Sequence, residues 1–349
     1  MIYLDCTKIG KTGIGRYIQQ LVKGLTDVFD FFVGDRTKLC ELVADEKIIS
    51  VDEFNRNVKL HLSESDVIHF PGNTMKALNG IEKINCKKIV TIHDTTPLII
   101  NVYSKKKTET WRQEAAKAIE CADLIITDSN NSRQDLIKYF EVEIERIKVV
   151  YLYASSFFGA INQEKKMLIK HKYNVSENSQ VYFVSGTMAK NKNIYRELIA
   201  IRLSKRYKKC TVLITNKSKK IKLLFAILGM KKNLRLLGTV SDEELNEIYN
   251  IADVFLYCSL YEGFGLPPLE AMRCHTSVIA SNLSCIPEIL GETVCYVNPY
   301  SIKEIKNAIN ILSDSSSKNK ELSNKGFEHS EKYSMKKFVE DTKNAILSI

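Results

Sequence analysis

Several motifs that would fix a function class are missing from this sequence. It has no Cys-x-x-Cys pair, no His-Glu-x-x-His, no Asp-x-Asp and no clustered His/Cys set. That leaves no recognisable zinc or divalent-metal site. The nine cysteines are an odd number, and Cys86, Cys121, Cys210 and Cys258 sit inside apolar stretches. A disulfide framework does not fit that distribution, whereas small buried hydrophobes in a reducing cytosol do. No stretch approaches the ~20 apolar residues of a membrane span. Residues 223–230 are too short for one and read as a helix packed on a sheet. The start Met1-Ile2-Tyr3-Leu4-Asp5 lacks the basic segment and long apolar region of a secretory leader. The expected location is cytoplasmic, at most peripheral on the inner face of the cell membrane.

What is present is an ordinary globular composition with a basic bias. Hydrophobic residues make up 44% of the chain and charged residues 26%, with a net charge of +10. Such a balance suits a partner carrying phosphate, whether nucleotide, nucleic acid or anionic membrane, and does not choose among them. Lysine-rich runs include Lys105-Lys106-Lys107, Lys205-Arg206-Tyr207-Lys208-Lys209 and Lys217-Ser218-Lys219-Lys220. Each run taken singly reads as a solvated face.

At 349 residues the chain exceeds the ~250–300 at which one hydrophobic core stops growing, so two domains are expected. Short apolar runs occur at 2–5, 29–33, 67–70, 89–93, 124–127 and 148–151, with helix-length segments between them. The series then restarts at 181–184, 211–214, 234–237, 254–257, 278–280 and 294–297. Helical spacing at 194–206, 219–228, 242–251, 267–274 and 302–312 separates these later runs. Near-continuous apolar runs fit strands covered on both faces, as in parallel sheets. Two successive series imply two Rossmann-like domains. The expected boundaries are an N-terminal domain at 1–160, a polar, lysine-rich linker at 161–178 and a C-terminal domain at 179–332. An amphipathic helix at 333–349 is expected to pack back on the first domain. Two such domains facing one another would form a cleft walled by strand ends, where ligands of open α/β sheets bind.

The most informative segment is Tyr261-Glu262-Gly263-Phe264-Gly265-Leu266-Pro267-Pro268-Leu269-Glu270-Ala271-Met272. Two glycines allow backbone amides to approach a ligand closely. Two of the chain's six prolines fall where a helix would begin, a position that tolerates a missing N–H. Strand, Gly-rich turn and helix thus follow one another, with a positive helix end facing an anion. Glu262 and Glu270 stand where carboxylates can accept from sugar hydroxyls. Equally, Glu262 can cap the loop and Glu270 complement the helix dipole, and chemistry alone leaves both readings open.

The spacing Glu262-x7-Glu270 around Gly-Phe-Gly-Leu-Pro resembles the signature of retaining GT-B glycosyltransferases of family 4 (group 1). The resemblance runs through nearly the whole chain. It includes Gly13-Ile14-Gly15-Arg16-Tyr17, Val90-Thr91-Ile92-His93-Asp94-Thr95-Thr96-Pro97-Leu98, and Ile126-Thr127-Asp128-Ser129-Asn130-Asn131-Ser132. It continues through Ser185-Gly186-Thr187-Met188-Ala189-Lys190-Asn191-Lys192-Asn193 and through Ala280-Ser281-Asn282 followed by Ile286-Pro287-Glu288. The resemblance implies that Glu262 hydrogen-bonds the donor sugar and Glu270 the ribose. The backbone of Gly263, Phe264, Gly265 and Leu266 would hold sugar and pyrophosphate. Lys192 would pair with the donor phosphates beside Gly186. Gly13 and Gly15, with Arg16, would form a loop near the phosphates. His93 would lie under the sugar near the anomeric centre, with Asp94 able to orient it. The family usually carries an arginine before the lysine, whereas here that position is Asn191. Lys190 is the available replacement, although a lysine is a point charge rather than a bidentate fork.

The resemblance also implies a donor that is substrate rather than cofactor and a reaction needing no cofactor and no metal, with lysines and helix N-termini neutralising the departing diphosphate. His93-Asp94-x-x-Pro97 and the segment from Gly13 to Tyr17 look most like bacterial mannosyltransferases of surface polysaccharides and O-antigen. GDP-mannose is the implied donor, and a glycan or lipid-linked acceptor the implied partner. Peripheral contact with an anionic membrane through Lys105, Lys106 and Lys107, flanked by Tyr103 and Trp111, follows as an expectation. The alternatives are a UDP- or dTDP-sugar donor, a sugar-nucleotide epimerase of the same shape, and a basic nucleic-acid-binding protein. No nucleic-acid-binding motif supports the last.

Overall fold

The structure, a computed structural model, describes every residue of the chain except Lys11, Ala77 and Asn79. Two compact units emerge. One comprises Met1–Tyr151 with Met335–Ile349, the other Leu152–Ser334.

The first unit is built on a seven-stranded sheet: β1 (Ile2–Asp5), β2 (Phe31–Val33), β3 (Ile48–Ile49), β4 (Val67–Phe70), β5 (Lys87–Thr91), β6 (Leu124–Thr127) and β7 (Ile147–Val149). All pairings are parallel, in the order β3-β2-β1-β4-β5-β6-β7. The order reverses direction between β1 and β4, which makes the switch point at which open α/β sheets bind ligands. Leu4, Phe32, Ile68, Ile89 and Ile125 are fully buried, as expected of strands covered on both faces. The sequence reading found six of these strands. The seventh, Ile48–Ile49, is a two-residue edge strand too short to show periodicity. The terminal helix Met335–Ile346 lies in this unit. Its Phe338 meets the Tyr17 ring edge-on at 6.2 Å, and Lys343 reaches Asp27 at 3.3 Å.

The second unit carries a six-stranded parallel sheet: β8 (Gln180–Val184), β9 (Cys210–Ile214), β10 (Leu234–Leu236), β11 (Val254–Tyr257), β12 (Ser277–Ser281) and β13 (Cys295–Val297). Its order is β10-β9-β8-β11-β12-β13, with the switch point between β8 and β11. Phe183 and Phe255 stack at 5.1 Å across those two central strands. Residues 161–178, read from sequence as a linker, belong inside this unit. They hold the helix Gln163–Lys172, capped by Asn162, whose Lys172 pairs with Glu247 at 2.6 Å. Only Ile169 of that helix is buried, so its polar composition hid a packed element. The helix expected at 194–206 stops at Arg202. Beyond it Ser204 turns its hydroxyl back onto the Ile201 carbonyl at 2.7 Å, a local bond that competes with continued helix.

Candidate functional site

In the second unit the turns after β8 and β11 carry the residues of interest. After β8 the chain passes Gly186 and makes one tight helical turn, Lys190–Lys192. Asn193 then adopts a left-handed conformation (φ 55°) and opens the helix Ile194–Arg202. Its side-chain amide donates to the Cys258 and Pro299 carbonyls at 2.9 and 2.8 Å. Asparagine tolerates this backbone better than other L-residues.

Lys192 Nζ donates to both oxygens of Glu262, at 2.8 and 3.0 Å. The side chains are 27% and 13% exposed, so the pair is half-sheltered and still reachable. The ammonium also lies 5.8 Å from the centre of the Tyr257 ring. The Lys192 stem runs past Gly186, where an added Cβ would stand 3.4 Å from Lys192 Cγ.

Asn191 is buried. Its carbonyl accepts from the Leu260 N–H at 2.7 Å and its amide donates to the Tyr261 carbonyl at 3.3 Å. This position therefore ties the two turns together, where the resembling family places a cation. Lys190 is exposed and lines a recess that also includes Arg196 and Tyr195.

The loop after β11 is fixed from beneath. Ser284 accepts the Glu262 N–H at 3.2 Å, and the Cys285 thiol donates to the Glu262 and Phe264 carbonyls at 3.1 and 3.0 Å. Phe264 is buried edge-on against Tyr333 at 5.8 Å, and Gly263 is buried beside it. Gly265, at φ +112°, caps the helix Leu266–Arg273, with proline in the first turn. A side chain there would be strained by the backbone and would meet Ile286 Cδ1 at 3.2 Å. Glu270 is 7% exposed and accepts from the buried Tyr249 hydroxyl at 3.1 Å.

One acid of this region was not singled out from sequence. Glu197 is 2% exposed and accepts the Cys258 N–H at 2.7 Å just past the end of β11. Burial pushes its pKa up to about 8, with the Cys258 bonds and nearby Lys192 pulling the other way.

In the first unit, His93 follows β5 and its Nδ1 lies 2.8 Å from Asp128 Oδ2. Asp94, expected to orient it, instead accepts the Thr96 N–H at 2.8 Å. The Tyr17 ring meets His93 edge-on at 4.7 Å. Burial alone would lower the His93 pKa, but the charge and hydrogen bond of Asp128 outweigh it and raise it above the usual imidazole value. Below it, His69 Nε2 pairs with Thr91 Oγ1 at 2.8 Å, and the Tyr17 hydroxyl reaches the same oxygen at 3.3 Å. Burial takes His69 down to about 3, so its ring is neutral.

Gly13 opens the helix Gly13–Gly24, Gly15 is buried in its first turn, and Arg16 is partly exposed beside it. A Cβ on Gly15 would stand 2.5 Å from the Gly10 carbonyl oxygen. The glycine is thus required by the packing of its own loop.

Residues 165–329 match the family model described as glycosyl transferases group 1. The chain carries a glycosyl transferases group 1 domain. Over 226 residues it is 29% identical to O-antigen chain mannosyltransferase B of Escherichia coli, covering 63% of this chain and 59% of that protein. The chain thus spans less than two thirds of that relative. It is 26% identical to O-antigen chain mannosyltransferase RfbU of Salmonella typhimurium, covering 88% and 89% of the two. Among solved structures, Anabaena Alr3699/HepE in complex with UDP and glucose superposes with a TM-score of 0.82 at 16% identity, covering 100% of this chain and 99% of that one. The two Rossmann-like units make the fold GT-B.

The group 1 domain holds Gly186, Lys190, Lys192, Glu262, Gly263, Phe264, Gly265, Leu266 and Glu270 within its matched residues. Gly13, Gly15, Arg16 and His93 lie outside them, in the first unit. The group 1 domain brings Lys192 and Glu262 into direct contact and sets Glu270 on the helix that the same loop starts. Asp128, Asn193, Glu197 and Tyr249 have contacts that no local spacing discloses.

Proposed function

We propose that the chain is a retaining hexosyltransferase that moves mannose from GDP-mannose to a hydroxyl of a glycan or lipid-linked acceptor in bacterial surface-polysaccharide synthesis. The observation that carries this reading is the Lys192–Glu262 pair beside Gly186 and the Gly263–Gly265 turn, at the sheet's switch point. The similarity to O-antigen mannosyltransferases supports the choice of sugar.

The ammonium has three donors, and two of them are used by Glu262. A diphosphate oxygen would accept the third, and the backbone amides after Glu262 would receive the rest of its charge. Glu262 keeps free lone pairs for sugar hydroxyls. In the reaction the bond between the anomeric carbon and the diphosphate oxygen loosens first. The acceptor oxygen bonds to the same face of that carbon. The acceptor proton passes to a phosphate oxygen of the leaving nucleotide. Lys192 and the amides stabilise charge that grows on the diphosphate, and no second carboxylate at the anomeric centre is required, unlike retaining hydrolases. His93, held by Asp128 and Tyr17, would position a sugar or acceptor hydroxyl.

The test is a thermal-shift comparison of GDP, UDP, dTDP and their sugars, followed by product analysis with the best donor. A ligand at 100 times its dissociation constant stabilises by ~2.7 kcal/mol. Stabilisation by GDP and GDP-mannose above the others, with transfer to an acceptor, is the expected result. A preference for UDP or dTDP overturns the donor assignment. Conversion of the donor without an acceptor overturns the transferase assignment in favour of epimerisation.

A further inference from the structure

The positive charge of this protein is confined. Residues 198–241 hold twelve of the 51 Lys and Arg and no Asp or Glu at all. The remaining 39 basic residues face 41 acidic ones, so the rest of the chain is slightly negative. The excess therefore belongs to one segment of the second unit.

That segment has an exposed aliphatic centre. The helix Lys219–Ile227 buries Ile221, Leu224 and Phe225 against the sheet. Its opposite face carries Leu223 and Ile227, 62% and 72% exposed. They stand one turn apart and so form one apolar strip. Lys219, Lys220 and Lys222 are exposed around it, and Lys231 and Lys232 follow its far end. Arg202 Nε donates to the Leu228 carbonyl at 2.8 Å, and the Tyr207 hydroxyl to the Gly229 carbonyl at 2.8 Å. These bonds tie the 202–207 segment, which carries the 58% exposed Leu203, to the C-terminal end of that helix. Among the described residues, salt bridges reach only Lys205 and Arg206 of the segment, both to Asp314. Three lysines in the first turn also oppose the helix dipole, since no acid stands there.

We propose that this face of the second unit docks on an anionic lipid bilayer, with Leu203, Leu223 and Ile227 entering the headgroup boundary and the surrounding lysines meeting lipid phosphates. The aliphatic strip favours a bilayer over a polynucleotide. The aromatic rings of the segment are not offered for base stacking: Phe225 is buried and Tyr207 lies under the Arg202 guanidinium at 4.3 Å. A basic rim around an apolar strip is the pattern of an interfacial helix. The Lys105, Lys106 and Lys107 run, expected from sequence to serve here, is less suited. Its helix also carries Glu109, Glu114 and Glu120, and Trp111 packs toward Phe140 at 6.3 Å. The inference is independent of the sugar-transfer reading.

The experiment is co-sedimentation of the full chain with phosphatidylcholine vesicles, with or without added phosphatidylglycerol, beside a single-stranded oligonucleotide control. Binding to the phosphatidylglycerol vesicles alone is expected. Each of Lys219→Gln, Lys220→Gln and Lys222→Gln should weaken it about fivefold, and the pair Leu223→Ser with Ile227→Ser at least about tenfold. Thermal unfolding and donor-induced thermal shift should stay as in the parent for these surface variants. Three results would overturn the proposal: no preference for anionic vesicles, full binding by the Leu223/Ile227 variant, or lysine variants that lose oligonucleotide binding while keeping vesicle binding.

Discussion

Lys192 and Glu262 offer a way to separate a structural cross-link from a donor site. Consider Lys192→Ala and Glu262→Ala, each assayed with nucleoside diphosphate alone and with the complete sugar nucleotide. Breaking a fully buried pair costs ~3–5 kcal/mol. With side chains 27% and 13% exposed, water can reach the survivor, and a loss of about 1–2 kcal/mol in stability is the reasonable expectation. Both variants should therefore fold, with melting temperatures lowered by only a few degrees. Their ligand behaviour should diverge. Lys192→Ala removes the cation, so binding of free diphosphate should fall at least about tenfold, the worth of one charge-assisted hydrogen bond at ~1.5–3 kcal/mol. Glu262→Ala frees the ammonium from its two carboxylate contacts and removes a negative charge, so affinity for the diphosphate alone should hold or rise. Transfer from the sugar nucleotide should nevertheless drop at least ~100-fold in both. Isothermal titration with GDP and UDP, and radiolabelled sugar transfer, read the two quantities. Equal loss of diphosphate affinity in both variants would mean that the pair merely holds two loops together. Undiminished transfer in both would end the proposed mechanism.

Glu197→Gln should stabilise the second unit at pH 7 by up to about 3 kcal/mol, because the native carboxyl is held protonated to about 8 while the unfolded one ionises from 4.5. The gain should shrink as pH falls toward 4.5, and equal denaturation midpoints at pH 7 would refute it. His69, neutral in the fold with its pKa near 3, must take up a proton on unfolding below 6.5. Stability should thus fall with acidification below that pH by up to ~1.4 kcal/mol per unit, a slope that His69→Gln removes. The His93–Asp128 pair acts oppositely. With the His93 pKa raised by its partner, the pair contributes fully just below 6.5 and loses its contribution as pH rises through the raised value; on the acid side it is lost when Asp128, whose own pKa burial raises, takes up a proton. The stability difference between parent and Asp128→Asn should accordingly narrow above pH 6.5, and a difference that widens there would contradict the ion pair. Gly15→Ala should destabilise the first unit by about 2 kcal/mol or more through contact with the Gly10 carbonyl, measurable by urea denaturation.

Much of this architecture can be read from the chain because buried parallel strands announce themselves. Runs such as Val254-Phe255-Leu256-Tyr257 are apolar at every position, and the structure buries all four residues of β11. Two of the misreadings share one cause, elements whose burial rests on a single residue or pair. Ile48 and Ile49 make an edge strand without a period. Ile169 alone anchors the helix taken for a linker. In the candidate site, Glu262, Glu270 and Lys192 are visible because a local turn and helix start require a particular order of residues. Their partners are not visible in that way. Asp128 lies 35 residues from His93, and Glu197 lies 61 from Cys258. Such pairs follow from strand order, which brings distant segments to one edge of a sheet. Asp94 misled for the complementary reason, since an adjacent carboxylate can just as easily close its own turn, as it does on Thr96.

The two links made by Asn191 have a practical corollary. Leu260 and Tyr261 are fastened to it from the opposite side of the switch point, 69 and 70 positions away. Neither turn can then be re-engineered by itself. A chimera that imports a relative's 185–193 segment, with arginine in place of Asn191, would keep the backbone bond to Leu260 but lose the side-chain amide bond to the Tyr261 carbonyl. Swaps intended to change donor preference should transplant both segments as a matched set.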